Sequence, residues 1–291
     1  MTEYEKRGYL HQNFRIFHPK DNQQREFSYH YHDFYKILIL LQGDVSYCIE
    51  GKSYELAPLD IVLVNAGEVH RPIVQSSSTY ERIILYVSPE FLRSCTDGQD
   101  SLELCFSKAR QEKSSVLRLP SMKSSRLYQV LEELEAAVNA PDYADALYQN
   151  VLFLEFMVHL NRAAVHSTLH FMPTPEANDK ILAILSYINE HLTENLSIDS
   201  LSEKFYTSKY YLMHSFKKET GYTIGNYLTL KRLRYARELI QGGTPATQAC
   251  FECGFHNYST FSRAYKKNFG EAPTGIRRTM DLPVQKQRLH S

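Results

Sequence analysis

Three histidines and one lysine form the most distinctive group of potential ligand-binding side chains. His30, His32 and Lys36 lie at positions of equal parity, and His70 follows later in the chain. Side chains on a strand alternate between its two faces, so residues of equal parity point to the same face. Imidazole nitrogens bind transition metals, and an ammonium group donates hydrogen bonds to anions or hydroxyl oxygens. The pattern therefore predicts a polar site for a metal or for a small-molecule effector.

The spacing of these four residues, with glycines at positions 43 and 67, resembles the two motifs of the cupin family. This resemblance implies a small β-barrel with the four side chains in its interior. A metal-binding cupin usually has glutamate at the position of Lys36. An ammonium group there reverses one charge and removes a metal ligand, so we predict no metal, no other cofactor and no catalytic residue. The four side chains then either contact an effector, anionic or rich in hydroxyl groups, or are polar filling of the barrel mouth.

The C-terminal region, residues 196–278, has the pattern of two helix-turn-helix units joined by one long helix over residues 223–240. Asn257 is suited to the N-cap of a helix, and Thr244 followed by Pro245 is the pattern of an N-cap and a first helical residue. In the second helix of each unit the apolar side chains are expected to face inwards. They are Tyr211, Leu212 and Phe216 in the first unit, and Phe261 and Tyr265 in the second.

The outward-facing side chains of these two helices are the candidate DNA contacts. The second helix of a helix-turn-helix unit enters the major groove, where its side chains reach base edges. The predicted base contacts are Tyr210, Met213 and His214 in the first unit, and Tyr258, Ser259 and Arg263 in the second. Arginine is the commonest reader of guanine, which makes Arg263 the most informative of them. The lysines predicted to contact phosphates are Lys209, Lys217, Lys218, Lys266 and Lys267.

A family resemblance is carried by residues spaced over both units. They are Leu212, Phe216, Lys217, Lys218, Gly221, Tyr227, Arg232, Ala236, Gly254, Phe255, Phe261, Arg263, Lys266, Gly270, Pro273 and Arg277. Their spacing resembles the signature of the AraC/XylS family of transcriptional regulators. The chain departs from that signature at Ile276, where the family usually has tyrosine, and at Ala246, Ala249 and Cys253, which replace larger aliphatic residues. The resemblance implies a cupin-like sensor domain, double-stranded operator DNA, a homodimer and contact with RNA polymerase.

The charges are divided unevenly along the chain, although the formal net charge is zero. Residues 177–291 contain 16 Lys and Arg against 10 Asp and Glu, a net charge of +6, whereas residues 1–176 carry −6. Because affinity for DNA comes largely from neutralising phosphates, the basic half is the one expected to bind DNA. Irregularly spaced cysteines, no membrane-length apolar run and no signal-peptide core predict a soluble cytoplasmic protein, associated with the nucleoid.

The predicted domains follow the change in pattern along the chain. Short apolar or alternating runs with glycine-containing turns predict an antiparallel barrel or sandwich over residues 1–115, which ends in a polar loop with one short helix. A helical region is predicted for residues 116–168, and a linker for residues 169–178. The DNA-binding domain is predicted for residues 179–281. The first core stripe of that domain is predicted to be Ile181, Ile184, Leu185 and Ile188.

The second helix of the helical region has apolar side chains on almost all of its sides. A helix that packs on one face of a domain needs only a single apolar stripe. In the family, helices at this place pair two subunits. The resemblance therefore implies dimerisation through Leu147, Val151, Leu154 and Val158. In the alternative interpretation this helix only packs on the barrel.

These features together predict a sequence-specific DNA-binding transcriptional regulator and not an enzyme. We expect a cupin-like barrel with a helical dimerisation region, followed by an all-α tandem helix-turn-helix domain. The regulator is expected to be an activator that responds to a small molecule such as a sugar or an organic acid. Two alternatives differ in class: a DNA-binding dimer without an effector, and a cupin metalloenzyme tethered to DNA, against which Lys36 argues.

Overall fold

The computed structural model describes residues 10–22, 27–75, 79–96, 100–140, 142–166, 170–173 and 179–275. This part of the chain folds into two compact units: the first runs up to Leu182 and includes Glu219–Gly221, and the second comprises Ala183–Lys218 and the residues from Tyr222 onwards. The first unit consists of antiparallel sheets and helices, and the second is helical. The predicted fold class, a sheet domain followed by a helical domain, is therefore confirmed.

The described strands of the first unit form two antiparallel sheets. They are β1 (Phe14–Phe17), β2 (Lys20–Asp21), β3 (Tyr35–Gln42), β4 (Val45–Ile49), β5 (Lys52–Glu55), β6 (Ile61–Val64), β7 (His70–Val74), β8 (Tyr80–Val87), β9 (Val116–Arg118) and β10 (His170–Phe171). The larger sheet has the order β1-β8-β3-β6-β9-β10, with β2 also paired to β8, and the smaller has the order β5-β4-β7. The strands thus form two sheets that share a core, and not one closed barrel.

Alternation along β3 shows how the two faces of the larger sheet are used. Ile37 and Ile39 are buried in the core that the sheet shares with the helices of this unit. Leu38 and Leu40 belong to a second core, which also contains Tyr47 from the smaller sheet. Side chains of even number on β3 therefore point into the space between the two sheets. Lys36 has the same parity and enters the same space.

The described α-helices of the first unit are α1 (Pro89–Ser94), α2 (Leu104–Gln111), α3 (Arg126–Asn139) and α4 (Asp145–Val165). The prediction of an irregular loop with one short helix before residue 116 was wrong, because α1 and α2 both form there. Ser88 caps α1 by accepting a hydrogen bond from the Phe91 backbone N–H, and Cys105 and Phe106 anchor α2 in the core. Few apolar residues are enough to anchor such short helices, so the periodicity is weak.

Two predicted domain boundaries also differ from the structure. Strand β9 pairs with β6 in the larger sheet, although the helical region was expected to begin at residue 116. Strand β10 pairs with β9 and lies in the stretch predicted to be a linker. Of that stretch, residues 169 and 174–178 lie outside the described residues.

The second unit contains the two predicted helix-turn-helix units and the long helix between them. Its helices are α5 (Asp179–Glu190), α6 (Ile198–Lys204), α7 (Lys209–Thr220), α8 (Ile224–Gln241), α9 (Ala246–Glu252) and α10 (Tyr258–Phe269). The core stripe predicted for α5 is buried throughout: Ile181, Ile184, Leu185 and Ile188. The predicted N-cap at Asn257 is confirmed by the bond that its side chain accepts from the Thr260 backbone N–H, at 3.0 Å. Ile276 and Arg277 of the family signature lie outside the described residues.

Two local predictions in this unit were wrong. Helix α9 has Pro245 at its N-cap position and begins at Ala246, so Thr244 lies one residue before the cap. Tyr211, expected to face inwards with Leu212 and Phe216, is 40% exposed, whereas those two are fully buried. Leu212 and Phe216 are one helical turn apart and occupy the centre of the apolar stripe. Tyr211 lies at the edge of that stripe, where a phenol ring reaches solvent.

Candidate functional sites

Helix α7 presents an exposed face to solvent. Tyr210 and Met213 are 75% and 46% exposed, and His214 is also exposed, as expected for side chains that contact a partner. The rings of Tyr210 and His214, one turn apart, are nearly parallel, with centroids 5.9 Å from each other. The Ser208 hydroxyl accepts a hydrogen bond from the Tyr211 backbone N–H at the start of the helix. The face is thus aromatic and polar on a capped, regular helix.

Helix α10 presents a comparable face. Ser259 and Arg263 are exposed, while Phe261 and Tyr265 are fully buried in the core of the second unit. The Arg263 guanidinium donates from Nε to the Ser259 carbonyl oxygen at 3.3 Å and keeps its other N–H groups on the surface. Tyr258 is only half-exposed, and its ring lies 5.8 Å from that of Phe261. Tyr258 therefore has a packing role beside any contact with DNA.

The five predicted phosphate-binding lysines are all exposed: Lys209, Lys217, Lys218, Lys266 and Lys267. Lys217 and Lys218 lie in the final turn of α7, and Lys266 and Lys267 lie in the final turn of α10. Cations there also suit the negative end of the helix dipole, so part of their effect is structural. Lys209 differs, because its ammonium pairs with the Asp199 carboxylate at 2.5 Å, which raises the pKa of Lys209.

Arg232 on α8 has a role that its position in the sequence does not show. Its guanidinium donates from Nε to the Leu192 carbonyl oxygen at 2.7 Å, and from Nη2 to that of Glu194 at 2.5 Å. The same group packs against Gly254, in the turn between α9 and α10. Burial lowers the pKa of Arg232, which nevertheless remains charged. Arg232 therefore connects the long helix α8 to two other parts of the unit: the segment after α5, and the turn of the second helix-turn-helix unit.

The four residues predicted to bind an effector are brought together in the first unit. All four side chains are buried: His30, His32, Lys36 and His70. The backbones of His30 and His70 exchange two hydrogen bonds, which places their ring centroids 4.3 Å apart. The His32 ring lies 4.8 Å from that of His70. The shared face predicted from parity is confirmed by this arrangement.

Each histidine of this cluster is oriented by the main chain. The Nδ1–H groups donate to backbone carbonyl oxygens: that of His30 to Ser28, that of His32 to Phe34, and that of His70 to Glu68, at 3.0, 2.7 and 2.9 Å. A carbonyl oxygen can only accept, so Nδ1 carries the proton in each ring. The Nε2 atom is then the nitrogen that can accept a hydrogen bond from another group.

Lys36 is the buried cation of the cluster. Lys36 is 4% exposed, and its ammonium donates a 2.9 Å hydrogen bond to the hydroxyl of Tyr47, which comes from the smaller sheet. Burial, together with the nearby charge of Arg82, lowers the pKa of Lys36 to about 7. Burial, followed by electrostatic interaction with Lys36 and with the other two histidines, lowers the pKa of His70 well below its usual value. Tyr47 and Arg82 were missed by sequence reasoning, because they enter from other strands.

The donor set of this cluster does not fit a metal held in the manner of a cupin. In the described ranges of the chain, no group of three or more His, Cys, Asp or Glu side chains is arranged to hold a metal ion. The ring centroids of His30 and His32 are 6.5 Å apart, wider than the other two pairs of the trio. Lys36 adds positive charge beside the imidazoles, which repels a divalent cation.

Comparison with known protein families agrees with this arrangement. Residues 16–156 match the model of the AraC-like ligand binding domain, and residues 201–279 match that of a helix-turn-helix domain. The chain belongs to the AraC/XylS family. It is a DNA-binding transcriptional regulator with a ligand-binding domain.

Similar proteins span nearly the whole of this regulator. YbfI, an uncharacterised HTH-type transcriptional regulator of Bacillus subtilis, is 26% identical over 241 residues, 81% of each chain. The HTH-type transcriptional activator RhaS of Escherichia fergusonii is 24% identical over 263 residues, 90% of this chain and 91% of RhaS. Among solved structures, ToxT from Vibrio cholerae covers 90% of this chain and 97% of its own, with 18% identity and a TM-score of 0.36.

The helices of the described ranges do not have the character of membrane spans. None of them is both long enough and apolar enough to cross a bilayer.

Proposed function

We propose that this regulator binds its operator through α7 and α10, which enter two successive major grooves on one side of the duplex. The observation that carries the proposal is the recurrence of one arrangement, an exposed polar face followed by paired lysines, on both helices. Tyr210, Met213 and His214 contact bases in the first groove. Tyr258, Ser259 and Arg263 do so in the second. Helix α8 sets the separation, which has to match about 34 Å between successive grooves.

A selection from random DNA tests this proposal. The full-length protein is incubated with a library of random duplexes, and the bound fraction is enriched and sequenced. We expect a motif with two conserved blocks one helical turn apart. The double variant His214→Ala with Arg263→Ala is expected to lose preference in both blocks, whereas Gln248→Ala, an exposed substitution on α9, keeps it. A motif unchanged in the double variant contradicts the assignment of these helices.

The cluster of Lys36 and three histidines is the proposed effector site. Its buried polar atoms converge from both sheets, and pockets for small ligands usually combine an apolar lining with a few such groups. A bound effector changes the presentation of the two DNA-binding domains if it binds one arrangement more tightly than the other. The alternative is a DNA-binding dimer without an effector. In that case no small molecule changes the affinity of the protein for its operator.

The proposed dimer forms through the exposed apolar face of α4. Leu147 is 67% exposed, and Tyr148 and Val151 are each 52% exposed. Leu154 is partly buried and packs on the core of its own unit, and Val158 is also partly buried. The face available to a second copy is therefore centred on the N-terminal half of α4. Pairing two DNA-binding domains raises the effective affinity for a double site.

We further propose that the regulator activates transcription in the cytoplasm through contact with RNA polymerase. The relative RhaS is named a transcriptional activator, which supports this direction of control. Transcription in vitro from a promoter that carries the selected operator tests it, with RNA polymerase and with or without the regulator. A rise in transcript supports activation. A fall with intact operator binding makes the protein a repressor.

A further inference from the structure

The ammonium of Lys36 lies in the space between the two sheets, and no carboxylate of the described residues neutralises its positive charge. Lys36 interacts there with Tyr47 on β4, His70 on β7 and Arg82 on β8. Tyr80 and Tyr86 on β8 lie around Tyr47, and His30 and His32, before β3, lie around His70. Arg82 forms an ion pair with Asp21, and its guanidinium lies 4.0 Å from the centre of the Tyr80 ring. Among the described residues, no ion pair joins Lys36 to an acid. A buried ammonium without a counter-charge is costly, so its presence points to an anion supplied from outside.

The bond between Lys36 and Tyr47 leaves donors available to such an anion. A charged ammonium can only donate, so the Tyr47 oxygen is the acceptor in this 2.9 Å bond. The hydroxyl hydrogen of Tyr47 therefore remains to be donated, and no acceptor for it occurs in the described part of the chain. Two further N–H groups of Lys36 also remain. Together these donors match the two oxygens of one carboxylate, and charged hydrogen bonds of this kind are the strong ones.

His70 requires a different partner. Its Nε2 atom is completely buried and has no hydrogen-bond partner among the described residues, while Nδ1–H is committed to the Glu68 carbonyl. The depressed pKa of His70 keeps the ring neutral, so Nε2 is an acceptor. An acceptor needs a donor, and a carboxylate has none. The His70 ring lies nearly parallel to that of Tyr47, with centroids 6.0 Å apart, so His70 and Tyr47 are close neighbours in this space.

We propose that the ligand of this domain is a small hydroxycarboxylic acid, such as a sugar acid. Its carboxylate accepts hydrogen bonds from Lys36 and Tyr47, and one of its hydroxyl groups donates to Nε2 of His70. One negative charge is sufficient, because Asp21 already pairs with Arg82. This inference rests on the effector site proposed above and specifies the chemical class that the site accepts.

The test uses ligands that differ by one group. Thermal unfolding of the full-length protein is followed with D-gluconate, D-glucuronate and lactate, and calorimetric titration then gives the affinity. Sorbitol is the neutral control for gluconate, because an alcohol replaces its carboxylate. Hexanoate is the control that keeps the carboxylate and lacks the hydroxyls. We expect a concentration-dependent rise in the melting temperature with at least one hydroxy acid and none with either control.

Two variants and one control assign the contacts. Lys36→Met is expected to weaken binding of the acid by about 10- to 100-fold, since it removes a charged hydrogen bond. Tyr47→Phe removes only the hydroxyl and is expected to weaken it less. Lys20→Met removes an exposed lysine, paired with Glu81 at 2.8 Å, and is expected to leave affinity unchanged. Equal loss in Lys20→Met and Lys36→Met overturns the contact.

Proton uptake is a readout that general destabilisation does not produce. An anion stabilises the protonated form of Lys36, so binding at pH 8 is expected to take up about one proton, and binding at pH 6 almost none. Affinity for the acid then falls by up to about tenfold per pH unit above pH 7. Titrations in buffers of different ionisation enthalpy measure the uptake.

The outcomes separate this inference from the proposal on which it rests. Equal stabilisation by sorbitol and gluconate, without proton uptake, overturns the acid and leaves an effector site in place. Stabilisation by hexanoate alone overturns the hydroxyl contact at His70. No response to any compound overturns the hydroxycarboxylic acid and counts against the effector site, while operator binding still tests the DNA-binding proposal by itself.

Discussion

Arg232 and Gly254 are in direct contact, although they belong to different helical segments. A Cβ atom added to Gly254 would lie 3.0 Å from Nε of Arg232 and 3.0 Å from the Thr193 carbonyl oxygen. The contact holds the turn of the second helix-turn-helix unit against the long helix α8. Because α8 also follows α7 directly, this small region helps to set the separation of α7 and α10.

Gly254→Ala is expected to destabilise the DNA-binding unit by about 1–3 kcal/mol. Gly254 has a φ of +88°, which side chains with a Cβ rarely adopt, and the added methyl group meets backbone and a held guanidinium. Thermal unfolding followed by circular dichroism measures the change. Gly225→Ala on α8 is the matched control: nothing lies within 4 Å of its added Cβ, so it is expected to be neutral or stabilising. Equal effects of both substitutions would contradict the role given to the contact.

Arg232→Met is expected to weaken operator binding without touching DNA itself. The substitution removes two charged hydrogen bonds to the carbonyls of Leu192 and Glu194, at a cost of about 1–3 kcal/mol in folding free energy. The recognition helices then lose their fixed separation. Affinity for operators with altered spacing between the two blocks is the diagnostic measurement. We expect wild type to lose more affinity than Arg232→Met when the spacing is changed, and an equal loss would exclude a spacing role.

Arg263→Ala is expected to cost about 1–3 kcal/mol of operator binding and to relax the preference at one base pair. The guanidinium of Arg263 is exposed on α10 and bonds only weakly to its own helix, at 3.3 Å. Binding to a set of operators, each changed at one position, measures the preference. Lys266→Ala is the control, expected to weaken binding to all sequences alike and to reduce its salt dependence. Uniform weakening by Arg263→Ala would make it a phosphate contact instead.

Local features of the fold could be predicted from the sequence, whereas contacts between distant segments could not. Asn257 was identified as a cap because capping depends on a side chain and a backbone N–H three residues away. The shared face of His30, His32 and Lys36 was predicted from strand parity, although only Lys36 lies on β3 and His30 is held by its isolated bridge to His70. Tyr47 and Arg82 reach the same site through the register of β4 and β8, which no local pattern contains. Arg232 was recognised as part of a motif, but its carbonyl partners lie beyond any helical period.

Leu147→Glu is expected to convert the regulator to a monomer and to weaken operator binding. The substitution places a charge at the centre of the exposed apolar face of α4, where a second copy would bury it. Sedimentation velocity measures the association state. Phe251→Glu on α9, which also replaces an exposed apolar side chain, is the control and is expected to keep the wild-type state. A dimer in both variants would show that another surface joins the subunits.

Lys36→Met is expected to be more stable than wild type at pH 6, with an advantage that shrinks as the pH rises. Burial lowers the pKa of Lys36 to about 7, whereas in the unfolded chain the pKa has its ordinary value of about 10.4. Between these values the unfolded chain holds a proton that the folded chain lacks, so wild-type stability rises with pH, by up to about 1.4 kcal/mol per unit. Below pH 7 both states are charged, and the full cost of burying the ammonium is present. Melting temperatures of wild type, Lys36→Met and the surface control Lys20→Met at pH 6 and pH 9 measure the effect. If the difference between Lys36→Met and wild type is the same at both pH values, Lys36 does not change its protonation on folding.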